Sequence, residues 1–168
     1  MKKRELVIAP AGEALLILLA GTAGWAVHQP MIFASLGPTA YELIETPHRR
    51  SAEPYSIVVG HAVGVGAGFL ALWLTGAWGA APVSATSLPL DRVWCATLAA
   101  GLTVLGNLLL RASQPAAIAS ALLIAVGIMQ RPLDALVLMG SVVLMTIVGE
   151  PLRRLRLRRG KLEKPDER

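Results

Sequence analysis

Apolar residues run along this chain in long blocks, not at the alternating spacing of strands. Four blocks, residues 8–27, 57–78, 93–110 and 134–149, predict spanning helices, since about 20 apolar residues of helix cover a ~30 Å hydrocarbon core. Two further apolar stretches, residues 30–44 and 113–128, are shorter. As helix they reach only about 22 to 24 Å, so they predict short spans or re-entrant half-helices. Each carries a helix-unfriendly phrase, "QPMIFASLGPTA" from Gln29 and "QPAAIASA" from Gln114.

The polar positions between the blocks choose between those two predictions. Lys and Arg collect on the cytoplasmic side of membrane proteins. Six crossings place Lys2, Lys3, Arg4, Arg49, Arg50, Arg111 and the basic end of the chain inside, leaving Arg92 and Arg131 outside. Four crossings with two re-entrant segments move Arg49, Arg50 and Arg111 outside. The six-crossing reading fits better, and both readings place both termini in the cytoplasm.

The two phrases are also the core of a repeat. At an offset of 85 residues Gln29, Pro30, Ala34 and Ser35 match Gln114, Pro115, Ala119 and Ser120, and Ala14, Gly21 and Pro47 match Ala99, Gly106 and Pro132. With three crossings per half, residues 8–78 and 93–149 must have opposite orientations in the membrane. That is the inverted-repeat plan of many transporters, in which Pro/Gly-interrupted segments at equivalent positions point to the binding site. Duplication without a transport role leaves the same trace.

Composition agrees with a membrane protein. Of 168 residues 54% are hydrophobic and 16% charged, and the mean hydropathy is +0.57, too apolar for an ordinary soluble domain. Half of the sixteen basic residues follow Glu150, so the net charge of +5 arises largely in residues 151–168. This stretch, with Leu152, Leu155 and Leu157 among arginines, predicts a short basic helix on the inner leaflet. The basic start followed by an apolar run reads as a retained first span, since further apolar segments follow and Glu13 interrupts the run. Nucleic acid is excluded as a partner, because no aromatic-interleaved basic patch accompanies the charge.

Candidate chemistry is sparse. Cys95 is alone within an apolar block and reads as packing. His28, His48 and His61 are scattered without a cysteine partner, and no metal-ligand spacing, nucleophile elbow or phosphate loop occurs. No catalytic residue, metal or cofactor is therefore expected. Pro30 and Pro115 read as first-turn prolines, which lose no hydrogen bond there. The free N–H groups after them would attract an anion. Ser35, Thr39 and Ser120 would add hydroxyl donors, with Gln29 and Gln114 orienting the ion. His61 reads as an interfacial residue or a gate that changes charge. Glu42 reads as half of an interfacial ion pair with Arg49 or Arg50, or as a proton-coupling carboxylate. Gly60, Gly64 and Gly68 lie on one helix face and predict close helix packing.

The run "ASLGPTAYELIETPHRRSAEPYSIVVGHAVG" resembles the HPP family of small membrane proteins. The resemblance lies in Gly37-x-Thr39-Ala40, Pro47-His48, Ser51-Ala52-x-Pro54 and Gly60-His61. The later "SQPAAIASALLIAVG" falls where that family has its His-Pro-Pro; here Gln114 and Ala116 replace the histidine and the second proline. The resemblance implies a compact domain, here residues 1–150, usually described as four hydrophobic helices, and for some members nitrite transport. The expected protein is all-α and polytopic, with four long and two short helices in two inverted three-segment repeats in a bacterial inner membrane. Its expected partners are the lipid bilayer and a small anion such as nitrite, bound at paired helix starts, and its small size suggests a homo-oligomer. The alternative is a non-transporting membrane module that binds a partner or assembles through the face of Gly60, Gly64 and Gly68.

Overall fold

The computed structural model describes residues 5–83 and 88–162. Its order is α1 (Glu5–Ala26), α2 (Leu36–Glu45), a 3-10 turn (Arg50–Ala52), α3 (Pro54–Thr75), α4 (Leu90–Leu109), α5 (Ala116–Ala125) and α6 (Pro132–Leu162). Among the described residues there are no strands. Four helices, α1, α3, α4 and α6, are long and apolar enough to cross a membrane. The two short helices are ten residues each.

Contacts between the helix ends trace the path of the chain. At one end of the bundle, end A, Gly12 of α1 faces Ile44, Gly149 of α6 faces Leu43, and Tyr55 at the start of α3 donates to the Leu110 carbonyl after α4. At the opposite end, end B, Gly24 faces Met31, the Val83 N–H bonds the Val126 carbonyl, and Gly79 bonds Gln130. The chain therefore passes from end to end six times. Two of those passes are helical over only ten residues, which reconciles a four-helix description with six crossings.

The packing repeats between the halves. Helices α1 and α2 pack on each other and on α6, α4 and α5 pack on each other and on α3, α3 crosses α6, and α2 meets α5. Exchanging α1 with α4, α2 with α5 and α3 with α6 reproduces this pattern. Since the exchanged helices run in opposite directions, the repeat is inverted. Helices α1 and α4 also end alike: His28 and Arg111 have φ of 54° and 53°. In each turn that residue bonds three positions back and the next one five back, a Schellman close with a non-glycine residue in the left-handed position.

The spacing of Gly60, Gly64 and Gly68 sets the tightest seam. A Cβ at Gly60 would strike the Gln114 side chain, one at Gly64 the Ala117 carbonyl, and one at Gly68 would lie 2.9 Å from the Ala121 carbonyl oxygen. The glycine face of α3 is thus filled by α5 of the same chain. It is not available as the assembly surface that the non-transporting alternative assigns to it.

Both short helices end against arginine, where the negative end of the helix dipole favours a cation. Arg156 of α6 donates Nε–H to the Ile44 carbonyl at 3.0 Å, and Arg153 donates to Pro47 at 2.8 Å. Arg92 of α4, wholly buried, donates to the Ala125 carbonyl at 3.0 Å and to Ala80. One boundary differs from the sequence reading. Helix α6 continues through Pro151 to Leu162, so residues 151–162 are no separate element and two of their arginines fold onto α2. Residues 163–168 lie outside the described residues.

Candidate functional site: a buried hydroxyl-histidine node

Helix α2 is amphipathic, with Leu36, Thr39, Ala40 and Leu43 recurring on its buried face. That spacing turns Thr39 inward, toward α3. On α3, His61 follows Gly60, where the missing side chain lets α5 approach. On α5, Ser120 lies on the buried face with Ala117, Ala121 and Ile124. The three meet in a line: Thr39 Oγ1 is 3.0 Å from His61 Nε2, and His61 Nδ1 is 2.7 Å from Ser120 Oγ. All three residues have 0% exposure, so the node is closed to solvent.

Directing the Thr39 hydroxyl at the Ser35 carbonyl assigns the hydrogen-bond directions. Thr39 Oγ1 donates its one proton to the Ser35 carbonyl at 2.9 Å, so toward His61 it accepts. In a neutral imidazole Nε2 therefore carries the hydrogen and Nδ1 accepts from Ser120. Every proton in the line is committed. Ser35 stands one turn before Thr39 with 0% exposure, and its Oγ has no hydrogen-bond partner. A buried hydroxyl without a partner is uncommon in a native interior.

A second polar group lies on the end-A side. Glu42, one turn beyond Thr39, is buried and faces the side chains of Ser51 and Gln114, with Arg49 nearby. Gln114, 2% exposed, donates Nε2–H to the Ser51 carbonyl at 3.4 Å, and its backbone carbonyl accepts from Asn107 at 3.3 Å. The sequence marks Ser51 only within the family resemblance and not as a candidate site residue. Its position after Arg49-Arg50, where the chain turns back into the bundle, was the available signal.

The predicted residues thus divide. Ser35, Thr39, His61 and Ser120 come together in the bundle, and Glu42 and Gln114 lie on the end-A side of them. Gln29 and Pro30 do not join them; both are exposed, in the turn after α1 at end B. Pro30 opens no helix, because the chain must first reverse after left-handed His28, and α2 begins at Leu36. Gly37-Pro38 falls in the first turn of α2 instead of interrupting a longer segment, as a first-turn proline can. Pro115 does stand at the start of α5. However, the amides after it are taken: Ala116 N–H by Gln114 Oε1 at 3.3 Å, Ala117 by the Gln114 carbonyl and Ile118 by the Pro115 carbonyl. The paired amide site expected at the two prolines is therefore replaced by a side-chain node between α2, α3 and α5.

Four helices long and apolar enough to cross a membrane, with two short helices packed among them around a buried polar centre, define a polytopic integral membrane protein. The chain belongs to the HPP family: residues 1–159 match the family model described as HPP, transmembrane region. No curated protein and no solved structure matches the chain.

Proposed function

We propose that this protein carries a small inorganic anion, nitrite or a similar oxyanion, across a bacterial inner membrane together with a proton, at the Ser35, Thr39, His61 and Ser120 node. The observation that carries the reading is the saturated proton inventory of His61 between two opposed short helices. With neutral imidazole the line offers no hydrogen to an anion. A proton taken up at Nδ1 turns His61 into a donor on both sides, frees the Ser120 hydroxyl to donate elsewhere, and adds a positive charge. Ser35, already without a partner, supplies a second hydroxyl. Proton and anion then bind together, since each stabilises the other within a low-dielectric interior. Glu42 supports the same linkage: its charged form repels an anion, so its protonation is a second point at which the two travel together.

Arginine distribution supports the orientation. Arg49, Arg50, Arg111, Arg153, Arg154, Arg156 and Arg158 lie at end A, against Arg92 and Arg131 at end B, a bias that supports a cytoplasmic end A. Assembly through Gly60, Gly64 and Gly68 is disfavoured, since α5 and the turn before it cover that face.

Uptake of nitrite, nitrate, formate and chloride into proteoliposomes tests the reading. Saturable flux of one of these is expected to fall about tenfold to a hundredfold in Ser35→Ala, the loss expected from one hydrogen bond to a charged group. Because Ser35 Oγ has no partner to lose, melting of the variant should change by less than about 0.5 kcal/mol. Unchanged flux in folded Ser35→Ala removes that hydroxyl from the site, and flux no greater than in empty liposomes counts against transport of these anions.

A further inference from the structure

We infer that a groove at end A, between α4, α5 and the turn before α3, binds the headgroup of an anionic phospholipid that carries free hydroxyls, of the phosphatidylglycerol class. The groove has a volume of about 430 Å³, and its lining includes Arg50, Arg111, Asn107, Val104, Leu108 and Ile118. Three features of the lining match three parts of such a lipid. Arg50 and Arg111 are exposed at the end of the bundle, and no acidic side chain lines the groove; two guanidinium groups without a carboxylate suit a phosphate. Val104 and Leu108, 45% and 71% exposed, form an apolar wall running from the arginines toward the bilayer centre, as an acyl chain requires.

Asn107 supplies the third feature. It is 8% exposed, and its Nδ2 is fixed on the Gln114 carbonyl at 3.3 Å, which leaves Oδ1 buried without a hydrogen-bond partner. An amide oxygen only accepts, so the missing partner is a donor. Phosphate and acyl esters offer none, whereas a glycerol headgroup does. A free small anion would use the arginines but neither the apolar wall nor the bulk of the volume. This site does not depend on the transport reading, although Gln114 gives the two a shared wall.

Native mass spectrometry of the full chain, delipidated in a mild detergent, tests the assignment with phosphatidylglycerol, phosphatidic acid, phosphatidylcholine and inorganic phosphate as probes. Phosphatidylglycerol is expected to bind at least about tenfold more tightly than phosphatidylcholine. That preference should vanish in the Arg50→Gln/Arg111→Gly variant; glycine suits the left-handed backbone at position 111, where φ is 53°, so the variant should fold. Asn107→Leu should bring phosphatidylglycerol down to the affinity of phosphatidic acid, which offers phosphate without headgroup hydroxyls. Equal binding of phosphatidylglycerol and phosphatidylcholine would overturn the proposal. So would undiminished phosphatidylglycerol binding by the folded double variant, or displacement of the lipid by millimolar inorganic phosphate, which would reassign the groove to a free anion.

Discussion

Replacing His61 by glutamine is expected to abolish proton-linked anion flux while leaving the protein folded. A glutamine amide reproduces the neutral pattern of the node, with N–H toward Thr39 Oγ1 and an oxygen toward Ser120. No buried hydroxyl is then stranded, and melting should shift little. What glutamine lacks is a ring nitrogen that can take up a proton. Parent flux is expected to rise as the pH on the uptake side falls. The glutamine variant should lose that pH dependence and at least about tenfold of the flux, the worth of a charge-assisted hydrogen bond near 1.5 kcal/mol. His61→Leu should also lose flux, with a further stability cost of about 1–3 kcal/mol for leaving buried polar atoms unpaired. Uptake across a pH series, read beside thermal melting of each variant, separates the lost proton from the lost fold.

The largest effect on stability is expected at Gly64. Its missing side chain is replaced in space by the Ala117 carbonyl of α5, and backbone cannot swing aside as a flexible side chain can. Gly60 and Gly68 are also closely faced, by the Gln114 side chain and by Ala121 and Ile124, so the seam extends over three turns of α3. Gly64→Ala is expected to cost at least the about 1–3 kcal/mol typical of overpacking. Gly64→Leu should prevent folding, and since this seam lies within one chain, folded Gly64→Ala should keep the parent's oligomeric state. Gly66 offers the control on the same helix. Nothing lies within 4 Å of a Cβ there, so Gly66→Ala should be neutral or stabilising by up to about 1 kcal/mol, from helix propensity. Thermal melting with size-exclusion chromatography in detergent checks both.

How far the sequence foretold this arrangement depends on the kind of signal. Block length gave the four long helices, and a four-residue glycine period gave the close seam. The arginine balance favoured six crossings, and the chain does pass six times between the ends. The phrase beginning Gln-Pro was the misleading signal. Its two copies lie at opposite ends, Gln29 exposed and Gln114 2% exposed, because left-handed His28 sends the chain through a reversal before α2 begins. Local chemistry could not show that the amides after Pro115 are consumed by Gln114, since that depends on how the turn after α4 closes. The node itself was half legible. Ser35, Thr39, Ser120 and His61 were each marked for their polarity in apolar surroundings, but their meeting depends on the packing of α2 and α5 against α3.

Arg92 was read as an exterior loop charge and is instead wholly buried. Its place in the first turn of a spanning helix, next to Asp91, gave no hint that the carbonyl end of α5 would need it. Arg156 serves α2 in the same way from a different element. The two halves therefore meet the same electrostatic need, a cation at the end of each short helix, without sharing the residue that meets it.

The measurement that bears most directly on proton-linked anion passage is proton movement driven by the anion itself. Proteoliposomes loaded with a pH-sensitive dye and given an inward gradient of the transported anion should acidify inside with the parent protein and stay at constant pH with His61→Gln. Saturable anion uptake without acidification, or acidification undiminished in the folded glutamine variant, would contradict a proton carried at His61.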